Sequence, residues 1–443
     1  MTAATARAAL AGFQAALGED PSDVEDLATV PVPLPARLPV DALAWAGVQA
    51  ASLALARISG ADPVRLDGSR IAAAYRSERH LRIDGSSPGA WSPLSGFWHA
   101  ADGWVRTHGN YPAHAEAMRG ALGLTEPSAE AAAERLAAMR VDAAVSAITA
   151  HGGLCVPTRE ERPAVDAALR LDPPIRLERI GRGQPVGLPE ATAAAPLVGV
   201  RVLDLTRVIA GPVCTRTLAL AGADVLRIDP PALPEFAWQH LDTGHGKRSA
   251  LLDLEEDDDR ARFDALLANA DVVVLGYRPD GLSRLGLTPE RLLATHPRLV
   301  VAQLSAWGAP DRRGFDSLVQ AASGIAWIES VDGTTPGVLP AQALDHTAGY
   351  LLAAAIATAL RRRAVDGGGW IAETSLRRVA ADLLALPRSG EPIGDAPPED
   401  PETQTFDVDG TEVRTVVPAV AWTGGPSRFA PPRPWGGDQA VWR

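Results

Sequence analysis

A serine and several histidines are the first residues whose types could carry out chemistry. The segment Gly85–Gly89 fits the G-x-S-x-G pattern of a serine nucleophile, but Pro88 directly follows the serine. A serine in such a turn must be followed at once by a helix, so we expect an ordinary loop here. His99, His108 and His114 are not spaced as i, i+4 pairs on a helix, and we therefore expect no metal site.

The turn that follows the first apolar strand of the second half could hold a nucleotide. This turn, 207–212, lacks the G-x-G-x-x-G glycines that let the backbone of a dinucleotide fold approach a pyrophosphate. Asp229 follows the next strand, where an acid that binds ribose would stand. Because the glycines are missing, we expect no NAD site.

Basic residues stand at or after the carboxyl ends of the predicted strands or in the loops that follow them. They are Arg207, Lys247, Arg248, Arg278 and Arg284. Ligands of doubly wound sheets bind at that edge, and a helix beginning near Pro212 would add free amides and a dipole. In an acidic chain, such a local basic cluster predicts a site for an anionic ligand. Each cation taken separately could equally be a solvated surface residue.

These residues are positioned by a regular alternation of strands and helices. Apolar runs typical of buried strands are 201–205, 225–228, 250–252, 271–275 and 299–304. Helix-like segments between them are 212–220, 258–268 and 289–296. The alternation predicts an α/β fold with a doubly wound, Rossmann-like parallel sheet.

The first part of the chain is richer in helices. Alanine-rich helices are predicted at 41–58, 129–139 and 143–149, with a hairpin that turns at 101–103. The tail from Pro392 is proline-rich and contains a second predicted hairpin, centred on Asp409 and Gly410. The Gly-, Pro- and Ala-rich segment 181–196 predicts a linker.

Composition narrows the class of protein. The 443 residues are 46% hydrophobic and 22% charged, which is typical of a globular chain with a sizeable core. A formal charge of −12 argues against nucleic acid or an anionic membrane as a partner. Cys155 and Cys214 are too few for a disulfide framework, and the N-terminal segment reads as a helix rather than a signal peptide. We therefore expect a soluble, cytoplasmic protein.

Several short motifs in the second half, taken together, resemble one family. They are the opening 197–231, Gly246-Lys247-Arg248-Ser249 with the ALLDL that follows, 270–279, Leu285-Gly286-Leu287, 296–300 and 314–324. Their order and spacing resemble those of the family III CoA-transferases. That family includes the carnitine and bile-acid CoA-transferases, formyl-CoA transferase and α-methylacyl-CoA racemase. The similarity is dense over about 196–379.

The resemblance implies a CoA-transferase that moves CoA from an acyl-CoA to a carboxylic acid. It implies that Asp316, in the Gly-x-Asp loop, is the nucleophile, which forms an acyl anhydride and then an aspartyl-CoA thioester. Asp345 resembles a second acid of the family, and it could instead be only a structural helix cap. Acyl-CoA is then the substrate, with no metal and no NAD. The CoA-binding residues implied are Arg207, Val208, Ile209, Lys247, Arg248, Arg278 and Arg284.

Two positions depart from the family pattern. Racemase members have a histidine directly before the loop aspartate, whereas this chain has Phe315, which cannot carry a proton. Asp280 stands where the family has a loop glycine, and its charge would oppose a CoA phosphate unless it points away. An acyl-CoA racemase or isomerase, and a non-catalytic CoA-binding homologue, remain as alternatives to the transferase.

The order of the domains also departs from the family. Residues 1–180 read as an incomplete copy whose small-domain-like region spans about 91–180. The linker 181–196 is followed by a Rossmann-like catalytic domain at 197–383 and a proline-rich return segment at 384–443. The helices beginning near Asp41 and Asp345 echo each other, as the joining of two incomplete copies of an α/β domain plus a smaller α+β domain would leave them. They could also be unrelated alanine-rich helices.

The joined-copy interpretation also bears on the assembly. The first copy has no equivalent of Asp316, which predicts one active site per chain. Family members form interlinked dimers, so the resemblance implies a homodimer. Whether that dimer is interlinked stays open, because one chain could supply both halves.

Overall fold

A seven-stranded sheet lies at the centre of the computed structural model, which describes residues 2–89, 91–189, 191–309 and 312–443. The strands in chain order are β1 (Arg82–Ile83), β2 (Gly96–Ala100), β3 (Gly103–Thr107), β4 (Cys155–Pro157), β5 (Arg176–Ile180), β6 (Arg201–Leu205), β7 (Asp224–Asp229), β8 (Arg248–Leu251), β9 (Val272–Leu275), β10 (Val300–Ser305), β11 (Gly369–Ser375), β12 (Thr403–Val408) and β13 (Thr411–Val416).

The helices cover both the first part of the chain and the connections between the strands of the central sheet. They are α1 (Ala3–Ala16), α2 (Val40–Ser59), α3 (Gly68–Tyr75), α4 (Ser77–His80), α5 (Pro112–Leu122), α6 (Ala129–Ala137), α7 (Val141–Ala150), α8 (Pro163–Leu169), α9 (Ala210–Leu220), α10 (Ala237–Thr243), α11 (Asp257–Leu267), α12 (Pro279–Arg284), α13 (Pro289–Thr295), α14 (Asp316–Ser323), α15 (Ile325–Ile328), α16 (Ala343–Asp366) and α17 (Leu376–Ala385), with a 3₁₀ helix at Pro21–Val24.

The central sheet is mostly parallel. Its strand order is β5-β11-β10-β9-β6-β7-β8, and only β5 runs antiparallel to its neighbour. All four residues of β9 are buried, as expected of a parallel strand whose two faces are both covered. The mixed α/β class predicted from the sequence is therefore confirmed, while the doubly wound detail stays a prediction.

The helix after β6, α9, begins earlier than the sequence indicated. It starts at Ala210 rather than Pro212, because the amide of Val213 donates to the Ile209 carbonyl at 2.8 Å and closes the first turn there. Pro212 still lies within the first turn, where its missing N–H costs no hydrogen bond.

Two long apolar helices, α2 and α16, pack against each other in the core. Their most apolar stretches are 83% and 100% buried inside the fold, as in the core helices of a soluble protein. Close packing around α16 needs glycine, since a Cβ on Gly349 would lie 2.4 Å from the Ala210 carbonyl oxygen.

The two long helices begin in a similar way. The cap residues Pro39 and Gln342 share nearly the same backbone angles, φ −76° with ψ 62° and 65°. The joined-copy arrangement that this similarity suggests stays a prediction.

A smaller α+β unit, formed by β2–β4 and α5–α7, has its own core. Its three strands pair antiparallel in the order β2-β3-β4, which confirms the first predicted hairpin. Leu94, Val105, Met118, Leu136 and Ile148 are buried between this sheet and the helices. We call this part the small unit.

The first 180 residues also contribute strands to the sheets of the second half. β5 pairs with β11 at the edge of the central sheet, with Arg179 opposite Trp370. β1 pairs with β13 of the C-terminal hairpin, whose predicted turn at Asp409 and Gly410 has φ of 50° and 82°. Within the predicted linker, Glu190 lies outside the described residues. The proposed domain boundaries therefore stay predictions.

Candidate active site

A cavity of about 1030 Å³ runs along the carboxyl edge of the central sheet. Residues at or just after the ends of successive parallel strands line it, namely Leu205, Ile228, Leu252, Gly276, Ser305 and Leu376. This is the edge at which parallel α/β sheets bind their ligands, and the sequence placed the basic cluster there. We call this the large cavity.

Arginines give the large cavity a positive wall. Arg207, Arg278, Arg284 and Arg313 line it. Partial burial lowers the pKa of Arg278, and the neighbouring charges of Arg313 and Arg284 lower it further. In a chain with a net charge of −12, this local concentration of cations favours an anionic ligand.

Arg207 is held in position by residues from both halves of the chain. Its Nη2 lies 3.3 Å from Oε1 of Glu235 and donates to the Pro234 carbonyl at 2.8 Å. The guanidinium also lies over the ring of Tyr111, 4.8 Å from the ring centre. Because two faces of the arginine are fixed, it meets a ligand with little loss of side-chain freedom.

The turn after Arg207 adopts a strained backbone. Val208 has φ 73°, a left-handed conformation that a β-branched residue rarely takes. Its amide donates to Oε2 of Glu235 at 3.3 Å, and Val208 and Ile209 both contribute to the cavity walls. Strain held by surrounding contacts is common where a ligand is bound.

Two of the predicted CoA-binding residues, Lys247 and Arg248, form ion pairs with carboxylates inside the fold. Lys247 is buried, pairs with Asp204 at 3.1 Å and donates to the Pro212 carbonyl at 3.0 Å. Arg248 pairs with Asp224 at 2.8 Å and also donates to the Val441 carbonyl. Neither residue lines the large cavity or its smaller neighbour, and both charges are paired with internal carboxylates. A role for these two residues in CoA binding stays a prediction that their internal pairing does not favour.

Asp316, the predicted nucleophile, is fully buried and fully hydrogen-bonded. Its Oδ2 accepts the amides of Leu344 and Asp345 at 2.9 and 3.0 Å, and its Oδ1 accepts Nε2 of Gln320 at 2.5 Å. Gln342, the cap residue of α16, makes no side-chain cap bond, so Asp316 caps that helix in its place. Burial raises the pKa of Asp316 to about 6.

Of the two aspartates, Asp345 is the one that faces the cavities. It lies in the first turn of α16, lines the large cavity and also lines a smaller neighbouring one, whereas Asp316 lines neither. No hydrogen bond to its carboxylate oxygens comes from the part of the chain that the structure describes. Burial and the charge of Asp316 raise its pKa well above the ordinary value. The geometry therefore exchanges the two expected roles, because the capping acid is Asp316 and the bare acid is Asp345.

The smaller neighbouring cavity, of about 50 Å³, is lined by aromatic residues from both halves of the chain. Phe315 stacks on His108 with ring centres 3.8 Å apart, and Tyr111 lies 6.0 Å from the same ring. Trp91 and Glu78 also line this space. We call it the small cavity; Asp345 lies where it meets the large one.

Several of these residues were not identified from the sequence. Arg313 stands in the loop after β10, so the rule that identified the other arginines could have found it. His108 was considered only as a metal ligand, and Tyr111 follows the hairpin of the small unit without any local signal. Burial raises the pKa of Glu78 to about 7, helped by Asp242, but nothing in its sequence context indicates this.

Comparisons with known proteins find relatives of the second half of the chain. Residues 197–402 match the family model of CoA-transferase family III. A probable fatty acyl-CoA transferase of Mycobacterium tuberculosis is 31% identical over 215 residues, which are 45% of this chain and 55% of that protein. A formyl-CoA:oxalate CoA-transferase of Rhodopseudomonas palustris is 32% identical over 188 residues, 39% of this chain and 44% of that protein.

One solved structure, of a CAIB/BAIF family protein from Brucella suis, is 28% identical, with a TM-score of 0.41 over 49% of this chain and 65% of that one. The chain spans about half the length of the curated relatives it matches. The resemblance stated from the sequence motifs is confirmed.

Proposed function

We propose that this chain, whose residues 197–402 match the family model of CoA-transferase family III, moves CoA from an acyl-CoA to a carboxylic acid. One observation carries the proposal. The carboxylate of Asp345 is bare, and it lies where an arginine-lined cavity meets a small aromatic one. A bound thioester could reach it from the large cavity and still be shielded from water.

The large cavity suits coenzyme A. Its arginines Arg278, Arg284 and Arg313 can bind the pyrophosphate and ribose phosphate, and Arg207, which lies over the ring of Tyr111, is a fourth cation of the same cavity. Leucine, proline and glycine residues along the strand ends offer apolar contact to the pantetheine arm. At about 1030 Å³, the cavity is at the upper end of the usual volume of a small-molecule site, about 300–1,000 Å³.

The reaction then proceeds through two kinds of covalent intermediate. The Asp345 carboxylate attacks the thioester carbon, the carbon–sulfur bond breaks, and an acyl anhydride and CoA thiolate form. The thiolate attacks the aspartyl carbonyl of the anhydride, which releases the donor carboxylate and leaves an aspartyl-CoA thioester. The acceptor carboxylate attacks that thioester, and the released thiolate attacks the acceptor carbonyl of the second anhydride. The products are the new acyl-CoA and a regenerated Asp345.

Asp345 suits this role better than Asp316 for a reason of electrostatics. Asp316 accepts three hydrogen bonds, which occupy both of its oxygens and favour its anion, although burial outweighs them and raises its pKa to about 6. Oxygens that are already hydrogen-bonded in this way make a weak nucleophile. Asp345 is 6% exposed and has a raised pKa, so its anion is more basic and more reactive. Asp316 holds in place the helix turn from which Asp345 projects.

The volume of the small cavity limits the size of the acyl donor and of the acceptor that the site can hold. A space of about 50 Å³ favours a short acyl group or a small dicarboxylic acid over a long chain. The two relatives differ in this respect, since one is named for formyl-CoA and oxalate and the other for fatty acyl-CoA. We therefore propose formyl-CoA with oxalate as the first substrates to test, and a long-chain acyl-CoA as the contrast.

The racemase alternative is not favoured, because Phe315 offers no group that could move a proton. A homodimer and a cytoplasmic location remain proposals. Residues of both halves of one chain already line both cavities, so the site does not require a second copy for the groups named here. Cys155 and Cys214 are both free and buried, which fits a reducing compartment.

Trapping the covalent intermediate tests the proposal. The protein is incubated with formyl-CoA, treated with hydroxylamine or borohydride, digested and analysed by mass spectrometry, and transfer to oxalate is assayed in parallel. We expect the adduct on Asp345, loss of both adduct and transfer in Asp345→Asn, and retained CoA binding in that variant. An adduct on Asp316, or full transfer by Asp345→Asn, contradicts the assignment. The same assay with a long-chain acyl-CoA separates a wrong donor from an inactive protein.

A further inference from the structure

His108 is buried and lines the same small cavity as the proposed nucleophile, and one nitrogen of its ring lacks a hydrogen-bond partner among the described residues. It is 6% exposed and lines the small cavity together with Asp345 and Gln342. Its Nδ1 is buried and has no hydrogen-bond partner among the residues that the structure describes. A buried polar atom usually has a partner, so an unpaired nitrogen in a residue that lines a cavity indicates that the ring forms a further hydrogen bond when a ligand is bound.

Neighbouring groups hold the ring of His108 in one orientation. It stacks on Phe315 with an interplanar angle of 10° and meets the edge of Trp91 with ring centres 6.1 Å apart. Its backbone amide donates to the Leu154 carbonyl at 3.2 Å, which anchors the residue at the end of β3. Phe315 directly precedes Asp316, whose carboxylate caps the turn that carries Asp345. The imidazole and the nucleophile are therefore positioned through the same short segment.

The ring stays neutral throughout the ordinary pH range. Burial lowers the pKa of His108 to about 3, and the nearby His114 and Arg106 lower it further. A neutral imidazole carries one N–H and is a weak base, so it suits hydrogen-bond donation better than proton abstraction. Neutral histidines are known to polarise a substrate carbonyl in this way.

We propose that His108 is a further catalytic residue, whose ring N–H donates a hydrogen bond to the acyl carbonyl oxygen while the Asp345 carboxylate attacks the carbonyl carbon. This inference rests on the proposed CoA transfer. During the attack a carbon–oxygen bond forms and the carbonyl electron pair moves onto the oxygen. That pair returns as the carbon–sulfur bond breaks, and the imidazole keeps its proton throughout. Stabilising such an oxyanion is commonly the largest single contribution to acyl transfer.

His108→Phe tests this role, because it keeps the stack on Phe315 and removes both nitrogens. In a single turnover with formyl-CoA, we expect adduct formation on Asp345 to slow by about 100-fold, the usual effect of losing one oxyanion donor. CoA affinity, measured by calorimetry, should stay within two-fold. His108→Asn, which restores an N–H donor, should recover part of the rate. The control His99→Phe changes an exposed histidine that packs on Trp104 and lines neither cavity, and it should behave as wild type.

The outcomes separate this inference from the proposed function. If Asp345→Asn abolishes transfer but His108→Phe forms the adduct at the wild-type rate, this inference alone is overturned. If Asp345→Asn keeps transfer, the proposed function fails first. Should His108→Phe not fold, ¹⁵N-histidine spectra of Asp345→Asn with and without acetyl-CoA decide the matter. A downfield shift of the His108 N–H on binding supports the hydrogen bond, and an unmoved resonance contradicts it.

Discussion

The Oδ2 atom of Asp316 accepts the backbone amides of Leu344 and Asp345 at 2.9 and 3.0 Å. These are the second and third residues of α16, and their amides are among the donors that a helix start leaves without a partner. A side chain from another helix therefore performs the capping that Gln342 does not. The two aspartates form one unit, in which one acid secures the position of the other.

Replacing each aspartate by alanine should affect stability in opposite directions. Asp316→Ala leaves two helix-start amides unpaired and removes a charge that favours the helix dipole, so we expect a loss of about 1–2 kcal/mol. Asp345→Ala removes a buried carboxyl that lacks a hydrogen-bond partner, so we expect no loss or a small gain in the free energy of unfolding. Urea denaturation of both variants measures the difference. Equal losses would show that the two side chains do not differ in role.

The pH profile of transfer should show an acid limb set by the aspartate pair. The attacking form of Asp345 is the anion, and its pKa is raised by burial and by the charge of Asp316, so activity should increase as pH rises through that raised pKa. Asp316→Asn removes the neighbouring charge and should move the limb to lower pH. Rates of formyl transfer between pH 4 and 9 measure it, with Asp23→Asn, on a distant partly exposed aspartate, as the control. A limb that does not move shows that Asp316 does not act on the nucleophile.

The same pair predicts how stability depends on pH. The pKa of Asp316 is 3.8 when unfolded and about 6 in the fold, so the folded state holds the proton more tightly. Its contribution to stability is complete below about pH 4 and is lost as pH rises through about 6. The melting temperature of the wild type, relative to that of Asp316→Asn, should therefore fall as pH rises from about 4 through about 6. The same comparison with a surface aspartate variant should show no such fall. A relative melting temperature that rises over this range would contradict the prediction.

The strands could be predicted from sequence because buried parallel strands are continuous apolar runs. β6 was predicted at its observed bounds, and β9 and β10 to within one residue at each end. β11 was not assigned as a strand, since Glu373, Thr374 and Ser375 interrupt its apolar pattern. The pairing of β5 with β11 could not be predicted either, because it joins residues about 190 apart in sequence.

Which charged side chains face the cavity and which pair inside the fold could not be predicted from the sequence. Lys247 directly precedes β8, at the amino end of that strand, whereas Arg278 follows the carboxyl end of β9 and reaches the large cavity. The ammonium of Lys247 pairs instead with Asp204, which is buried in β6. The choice between Asp316 and Asp345 likewise depends on how α14 packs on the start of α16, and no local pattern reports that packing.

The basic residues should separate into two groups when they are replaced. Arg278→Gln removes a charge that faces the large cavity, so we expect CoA to bind about 10-fold more weakly, with little change in stability. Lys247→Met leaves the buried Asp204 without its cation, so we expect a loss of about 3–5 kcal/mol in the free energy of unfolding. Calorimetry with CoA and urea denaturation measure the two effects, and the exposed Arg262→Gln serves as the control.

The salt dependence of CoA binding sharpens this separation. A charge pair with a phosphate is screened by salt, so wild-type affinity should fall between 0.05 and 0.5 M salt, and Arg278→Gln should show a shallower fall. Arg262→Gln should keep the wild-type slope. Unchanged affinity and slope in Arg278→Gln would place the CoA phosphates elsewhere.

Replacing the strained Val208 by glycine should keep or increase the free energy of unfolding and should reduce the rate of transfer. A non-glycine residue at φ 73° costs about 1–3 kcal/mol, which glycine avoids, while glycine adds about 0.5–1 kcal/mol of unfolded-state entropy. We therefore expect Val208→Gly to be as stable as wild type or up to about 2 kcal/mol more stable. Transfer should fall about 10-fold, because the loosened turn no longer fixes the wall between Arg207 and Asp345.

Val225→Gly is the matched control for that substitution. Val225 lies in β7, is 1% exposed and has an ordinary strand conformation, so the same change there should cost about 2–4 kcal/mol. Urea denaturation and the formyl transfer assay on both variants compare them directly. If Val208→Gly loses as much stability as Val225→Gly, the turn stores no strain. If it keeps full activity, the conformation of Val208 does not position the site.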